Sequence, residues 1–192
     1  AEFPKGEQHP SQIPGYTPTR PVHTGSAEEP SSSFVLGVEL EPGILAGKRI
    51  VITAGGTREA LDPVRFLGNR STGKQGVALA QAARDLGASV HLIGANLEVP
   101  APEGVQVTRV VSARELRDAV LEAQNNADML IMSAAVADFR PAEYAEYKIK
   151  KTADSSDAPT IQLVRNPDIL REVVELRQKT GAGARLIVGF AA

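Results

Sequence analysis

The stretch KRIVITAGG, Lys48 to Gly56, is an apolar run stopped by glycines, and TGKQGVALAQAARDLG follows it with apolar residues at helical spacing. A run with so little polar interruption is what a strand buried on both faces requires. The same switch of period then repeats along the chain. ASVHLIG and VQVTRVV read as strands, and Ser112 and Glu115 form the S-x-x-E capping box of the helix ARELRDAVLEAQ. DMLIMSAAVADF begins as a buried strand. TIQLVRN reads as a strand leading to Pro167 and Asp168, which open the helix DILREVVELRQK, and RLIVGFAA closes the series as a strand. Alternation of this kind predicts an α/β, Rossmann-like parallel-sheet domain with helices on both faces. In the first helix Ala78, Leu79, Ala82, Ala83 and Leu86 are expected to form the apolar face, with Gly87 at the C-terminus. Ligands of such sheets lie beyond the C-terminal ends of the strands, which directs attention to the loops after Thr53, Met132 and Val188.

Ahead of this unit the composition changes. Residues 1–33 carry Pro4, Pro10, Pro14, Pro18, Pro21 and Pro30 among Ser, Gly and Glu, too little apolar surface to offset chain entropy. We therefore expect residues 1–46 to be a Pro-rich tail or linker, with Phe34 to Leu40 as an apolar patch that docks on the domain, and residues 47–192 to form the folded unit. With 21 Lys plus Arg against 23 Asp plus Glu, no bulk charge draws the chain to nucleic acid or a membrane surface. No apolar run approaches the ~20 residues of a membrane span, and no secretory signal core is present. Zero cysteines exclude thiolate catalysis and cysteine metal sites, and the three histidines, at 9, 23 and 91, are too scattered for a zinc motif.

FLGNRSTGKQG, Phe66 to Gly76, has Gly68, Gly73 and Lys74 in the spacing of a nucleoside-triphosphate P-loop, but Gln75 stands where the metal-binding hydroxyl belongs. A P-loop also joins strand directly to helix, and here GGTREALDPVRFLGN intervenes, with Thr57, Arg58, Asp62 and Arg65 too polar to share one buried strand. A simpler anion site remains. Asn69, Ser71, Thr72 and Gly73 stand at a helix start, where free N–H groups and the helix dipole favour negative charge. Gly55, Gly56 and Arg65 are counted with them as substrate- or phosphate-binding positions. The plain alternative is that Ser71 only caps the helix. Capping leaves unexplained the two glycines Gly73 and Gly76, each costing ~1 kcal/mol in a helix relative to Ala; close approach by a ligand or by neighbouring backbone explains both.

In MSAAVADFRP, the small Ser133, Ala134 and Ala135 either expose backbone groups to a base or ribose or serve tight sheet packing; Asp138 follows. Lys148, Lys150 and Lys151 in YKIKK either neutralise phosphates as point charges or are simply solvated.

Together, ITAGGTREALDPVRFLGNRSTGKQG, SAAVADFRP, EYKIKK, RNPDIL and VGFAA resemble, in order and spacing across residues 47–192, the phosphopantothenoylcysteine synthetase domain of coenzyme A biosynthesis. In bacteria that domain usually follows a flavin-dependent decarboxylase domain. The resemblance implies a ligase that uses CTP to convert the carboxylate of 4'-phosphopantothenate to an acyl-cytidylate, which the amine of L-cysteine then attacks. It implies a CTP site at Met132, Ser133, Ala134, Asp138, Lys148, Pro167, Asp168, Ile169, Leu170 and Phe190. Lys148 would serve formation of the acyl-cytidylate, and Asn69 would contact it. It further implies Mg²⁺ bound mainly through the CTP phosphates, no FMN in this chain, a homodimer, coupling to a decarboxylase domain or protein, and a cytoplasmic location. Metal ligands are not assigned. Family members continue for several tens of residues past VGFAA, with a basic segment over the triphosphate, so a C-terminally incomplete domain is implied.

Two rival readings are weighed against it. A nicotinamide-dependent reductase would explain TAGGT and the Tyr144–Lys148 spacing, but G-x-G-x-x-G is absent and Pro141 argues against a catalytic helix there. A catalytically incomplete nucleotide-binding module is the other.

Overall fold

The structure is a computed structural model and describes residues 43–150 and 159–190. Five strands form a parallel sheet: β1 (Arg49–Gly55), β4 (Ser89–Ala95), β5 (Gln106–Val110), β6 (Met129–Met132) and β9 (Leu186–Gly189), in the order β5-β4-β1-β6-β9. Both central strands are buried almost throughout, as their unbroken apolar runs require.

Alternate residues separate into two cores. Ile50, Ile52, Ala54, Val90 and Leu92 meet α1 (Lys74–Asp85) through Ala80 and Ala83. On the opposite face Val51, Ile93 and Ala95 meet Leu116 and Val120 of α2 (Ala113–Ala123) and Ile169 and Val173 of α3 (Ile169–Thr180). The Rossmann-like α/β architecture with helices on both faces is therefore present.

Helix termini follow local chemistry. Ser112 caps α2 by accepting from Glu115 N, while Glu115 reaches back to Val111 N at 2.8 Å, one residue earlier than the ideal box. Asp168 caps α3, accepting from Arg171 N at 3.0 Å. The start of α1 differs from expectation. Its N-cap is Gly73, left-handed at φ 84° with no side-chain cap, so Ser71 does not cap the helix.

The buried face of α1 is also rotated from the expected one. Gly76, Ala80 and Ala83 are buried, whereas Ala78 and Ala82 are exposed. The smallest side chains, not the largest apolar set, face the sheet, because the helix lies too close to β1 for more.

Three elements were not legible as such. GGTREALDPVRFLGN folds into an antiparallel hairpin of β2 (Arg58–Ala60) and β3 (Phe66–Gly68). TIQLVRN supplies β8 (Leu163–Arg165), which pairs not with the main sheet but with β7 (Phe139–Pro141) in a second antiparallel ribbon. Residues Gly43–Gly47 form a turn whose Leu45 packs against the α1-side core and donates its N–H to the Leu86 carbonyl at 2.9 Å. The rest of the expected tail, including Phe34 to Leu40, lies outside the described residues, as do Lys151, Ala191 and Ala192. Among the described residues no helix is long and apolar enough to cross a membrane.

Candidate functional site

From β1 the chain crosses to β4 on one side, and from β6 it goes to β9 on the other. The strand order therefore reverses between β1 and β6, where an open α/β sheet has a crevice at its C-terminal edge. The segments leaving these two strands run together as a cross-linked pair. Ala135 N donates to the Gly55 carbonyl at 2.8 Å and Thr57 N to the Ala135 carbonyl at 3.1 Å. Ser133 Oγ donates to the Thr53 carbonyl at 2.6 Å, Thr53 Oγ1 accepts from Ala134 N at 3.1 Å, and Thr57 Oγ1 accepts from Ala137 N at 2.9 Å.

The amides of Ala134, Ala135 and Ala137 are thereby committed within the protein, which supports a packing role for these small residues and leaves ligand contact to their other backbone groups. Gly55 and Gly56 are buried for the same reason. A Cβ at Gly55, where φ is 87°, would lie 1.9 Å from the Ala95 carbonyl oxygen. One at Gly56 would lie 2.7 Å from the Asn69 carbonyl oxygen.

Asn69 stands at the rim. Its side-chain nitrogen donates to the Val136 carbonyl at 3.1 Å, tying the segment before α1 to the segment after β6. One of its two N–H donors is used there, and the other has no partner among the described residues. Ser71 and Thr72 follow it into the α1 start, where the glycine question is answered by backbone conformation and packing. A Cβ at Gly73 would lie 2.4 Å from Leu97 Cδ2, and one at Gly76 would lie 2.4 Å from the Ala54 Cβ. At Gly73 the left-handed φ of 84° is what favours glycine, since the Leu97 side chain can yield; at Gly76 it is the Ala54 Cβ and the Thr53 carbonyl oxygen, 2.9 Å from such a Cβ.

The α3 start borders the same edge. Phe190 N donates to the Met132 carbonyl at 3.1 Å, and Leu170 lies over Gly189. Met132 and Ile169 point into the core, so any ligand contact from them would be through the backbone. Asp138, Asp168, Leu170 and Phe190 are exposed and Pro167 is half-buried.

Asn166 joins this region to the β6 loop: its N–H donates to the Asp138 carbonyl at 2.8 Å and its side-chain nitrogen to the Ala137 carbonyl at 2.8 Å. Asn96, with φ 49°, similarly donates to the carbonyls of Gly56 and Val111, each at 2.9 Å. Neither asparagine was expected in the site. A short amide beside Pro167, and another directly after a buried strand, are the signals that could have found them.

Lys148 is exposed on the irregular segment 142–150, and it forms no ion pair among the described residues. Because that segment is not helical, Tyr144 and Lys148 do not form the helical pair a reductase requires. Arg65, expected as an anion contact, also has a structural role. Its guanidinium Nε and Nη2 donate to Asp62 Oδ2, and Nη2 donates also to the Ile149 carbonyl. This guanidinium and three backbone amides hold the Asp62 carboxyl well below the usual carboxylate range, against the opposing effect of desolvation. A cavity of about 360 Å³ lies not over the crevice but beside the Lys148 segment, with Leu61, Tyr144, Ala145, Ile149 and Gln162 in its wall.

Residues 45–192 match the family described as the DNA/pantothenate metabolism flavoprotein C-terminal domain. The chain is 53% identical over 150 residues to the coenzyme A biosynthesis bifunctional protein CoaBC of Mycobacterium tuberculosis, a match covering 77% of this chain and 35% of that protein. Against the protein of the same name from Vibrio cholerae it is 48% identical over 151 residues, covering 79% and 37%. The chain thus spans about a third of the length of the curated relatives it matches. Among solved structures, the C-terminal domain of a CoaBC superposes with a TM-score of 0.65 at 39% identity, over 78% of this chain and 66% of that one. The DNA/pantothenate metabolism flavoprotein from Streptococcus pneumoniae shares the fold, with a TM-score of 0.58 at 23% identity over 72% and 67%.

Proposed function

The chain belongs to the DNA/pantothenate metabolism flavoprotein C-terminal domain family, as a domain of the phosphopantothenoylcysteine synthetase type, and from that premise we propose that it joins 4'-phosphopantothenate to L-cysteine at the expense of CTP. In the first step a carboxylate oxygen of 4'-phosphopantothenate attacks the α-phosphorus of CTP and pyrophosphate leaves, giving the acyl-cytidylate. In the second, the cysteine amine attacks the acyl carbon, CMP leaves, and the amide of 4'-phosphopantothenoylcysteine remains. Both nucleophiles come from substrates, so the protein's work is positioning and charge stabilisation.

The observation that carries this reading is the tie between Asn69 and Val136 at the mouth of the β1/β6 crevice. It holds an amide with one spare N–H donor where a ligand of this fold lies, ready to stabilise an acyl oxygen as negative charge builds. Lys148 supplies an exposed cation for the triphosphate. Asp168 orders the first turn of α3, whose free N–H groups favour an anionic or acceptor-rich ligand. With the amides of Ala134 and Ala135 occupied, discrimination for cytosine falls chiefly to the segment Pro167 to Leu170.

Mg²⁺ is assigned to the substrate, entering with CTP and neutralising its phosphates. A homodimer, a decarboxylase domain or protein acting on the product's new carboxylate, and a cytoplasmic location belong to the same proposal.

Calorimetric titration with CTP, ATP and NADPH tests the reading. Binding of CTP in preference to ATP, with no uptake of NADPH, is expected. Equal affinity for CTP and ATP would defeat the base assignment, and NADPH binding alone would restore the reductase.

A further inference from the structure

Asp62 sits in the turn of the β2–β3 hairpin with its side chain fully buried. Its Oδ1 accepts from Val64 N at 2.9 Å and Arg65 N at 2.8 Å, bonds that close the turn. Oδ2 does something the turn does not need: besides the Arg65 guanidinium it accepts from Ile149 N at 3.2 Å, 87 residues away. Arg65 Nη2, 2.5 Å from Asp62 Oδ2, donates also to the Ile149 carbonyl at 3.1 Å. Both main-chain polar groups of Ile149 are thus held by one ion pair. Ala145 N donates to the Leu61 carbonyl at 3.0 Å and fixes the same segment a second time.

Ile149 directly follows Lys148. Residues 142–150 have no helix or strand to hold them, so these contacts, together with Ala142 N donating to the Gln162 carbonyl at 2.8 Å at the start of the segment, fix the main chain from which the Lys148 side chain sets out. A buried carboxylate is costly unless its lone pairs are satisfied, and here several donors converge on it.

We propose that Asp62 is a positioning residue for the ligase reaction: with Arg65 it clamps the main chain at Ile149 and so sets the reach of Lys148 toward the CTP phosphates. The inference rests on the reading of Lys148 given under Proposed function. It predicts a division that a merely structural residue would not show. Formation of the acyl-cytidylate needs Lys148, whereas cysteine attack on an acyl-cytidylate already made does not.

Asp62→Asn keeps the shape and removes the charge. Pyrophosphate release from CTP and 4'-phosphopantothenate should fall by about a hundredfold, while CMP release from supplied 4'-phosphopantothenoyl-CMP and cysteine stays within about threefold. Backbone amide exchange at Ile149 in the unliganded chain should accelerate by at least about tenfold, with β1 and β6 amides unchanged. Should Asp62→Asn fail to fold, Ile149→Pro deletes the donor while leaving the Asp62–Arg65 pair, and it must give the same split. Equal loss of both half-reactions, wild-type pyrophosphate release in a folded variant, or unaltered Ile149 exchange in Asp62→Asn would each overturn the proposal. If the wild type itself releases no pyrophosphate, the ligase reading fails and takes the catalytic half of this inference with it; the exchange result still decides whether the clamp exists.

Discussion

Gly76 of α1 lies directly on Ala54 of β1: a Cβ on the glycine would stand 2.4 Å from the Ala54 Cβ and 2.9 Å from the Thr53 carbonyl oxygen. Helix and strand are in contact at the point where the crevice opens, so the position of the α1 start is set by sterics. Gly76→Ala should lower stability by about 1–3 kcal/mol through overpacking, even though alanine is the better helix former by about 1 kcal/mol. A urea midpoint that falls, and that Ala54→Gly partly restores, is the expected result; an unchanged or raised midpoint would show that the helix can move away freely.

Asn69 and Lys148 should separate the two half-reactions. Lys148→Gln removes the cation that offsets charge on the triphosphate and should stop pyrophosphate release. Asn69→Asp exchanges an N–H donor for a carboxylate facing the Val136 carbonyl and a developing oxyanion. Loss of such a donor costs about 3 kcal/mol in the step it serves. That variant should still release pyrophosphate and accumulate acyl-cytidylate. Identical loss of pyrophosphate release in both variants would leave the two residues a shared binding role only.

Acidification should weaken the fold in two windows. Burial is the main cause that holds His91 below its ordinary value of 6.5, with Arg49 adding to it and Glu122 opposing it. The unfolded chain therefore takes up that proton first, and stability should decline as pH falls below about 6.5. Asp62 is held below 3.8 chiefly by Arg65, so its contribution is intact above that value and is lost as pH falls through the lower folded value. Urea midpoints measured from pH 8 to about pH 2 should show the first decline and the onset of the second. His91→Gln should flatten the first and Asp62→Asn the second, and unchanged slopes in these variants would count against the assignment.

The two ribbons leave Phe66, Leu67, Phe139 and Leu163 each more than 40% exposed. Apolar residues gathered on short antiparallel ribbons are what a homodimer would cover. Phe66→Asp and Leu163→Asp should shift the chain to monomer in sedimentation equilibrium, by about tenfold or more in dimer dissociation constant. A wild type that is monomeric throughout, or variants that dimerise as tightly as it does, would place the interface elsewhere or remove it.

Much of this arrangement was written in the sequence. The runs around Ile52 and Leu92 announced buried parallel strands, and Ser112 and Asp168 announced two helix starts. What stayed hidden depends on contacts distant along the chain. The burial of Gly76 and Ala80 in place of Ala78 and Ala82 follows from how near α1 comes to Ala54. Asp62 read as a polar loop residue and Arg65 as a phosphate-binding position, and their pairing to Ile149 stayed hidden because that partner lies more than eighty positions away. The commitment of the Ala134 and Ala135 amides likewise follows from Thr53 and Gly55 on another strand. No local pattern carries that information.

The central claim is transfer of cytidylate to the 4'-phosphopantothenate carboxylate. A single-turnover reaction with CTP labelled at the α-phosphate tests it most directly. Without cysteine, the label should move from CTP into 4'-phosphopantothenoyl-CMP only when 4'-phosphopantothenate is present. Adding cysteine should then carry it into CMP. Label that stays in CTP, or that reaches CMP with no requirement for 4'-phosphopantothenate, would contradict the account.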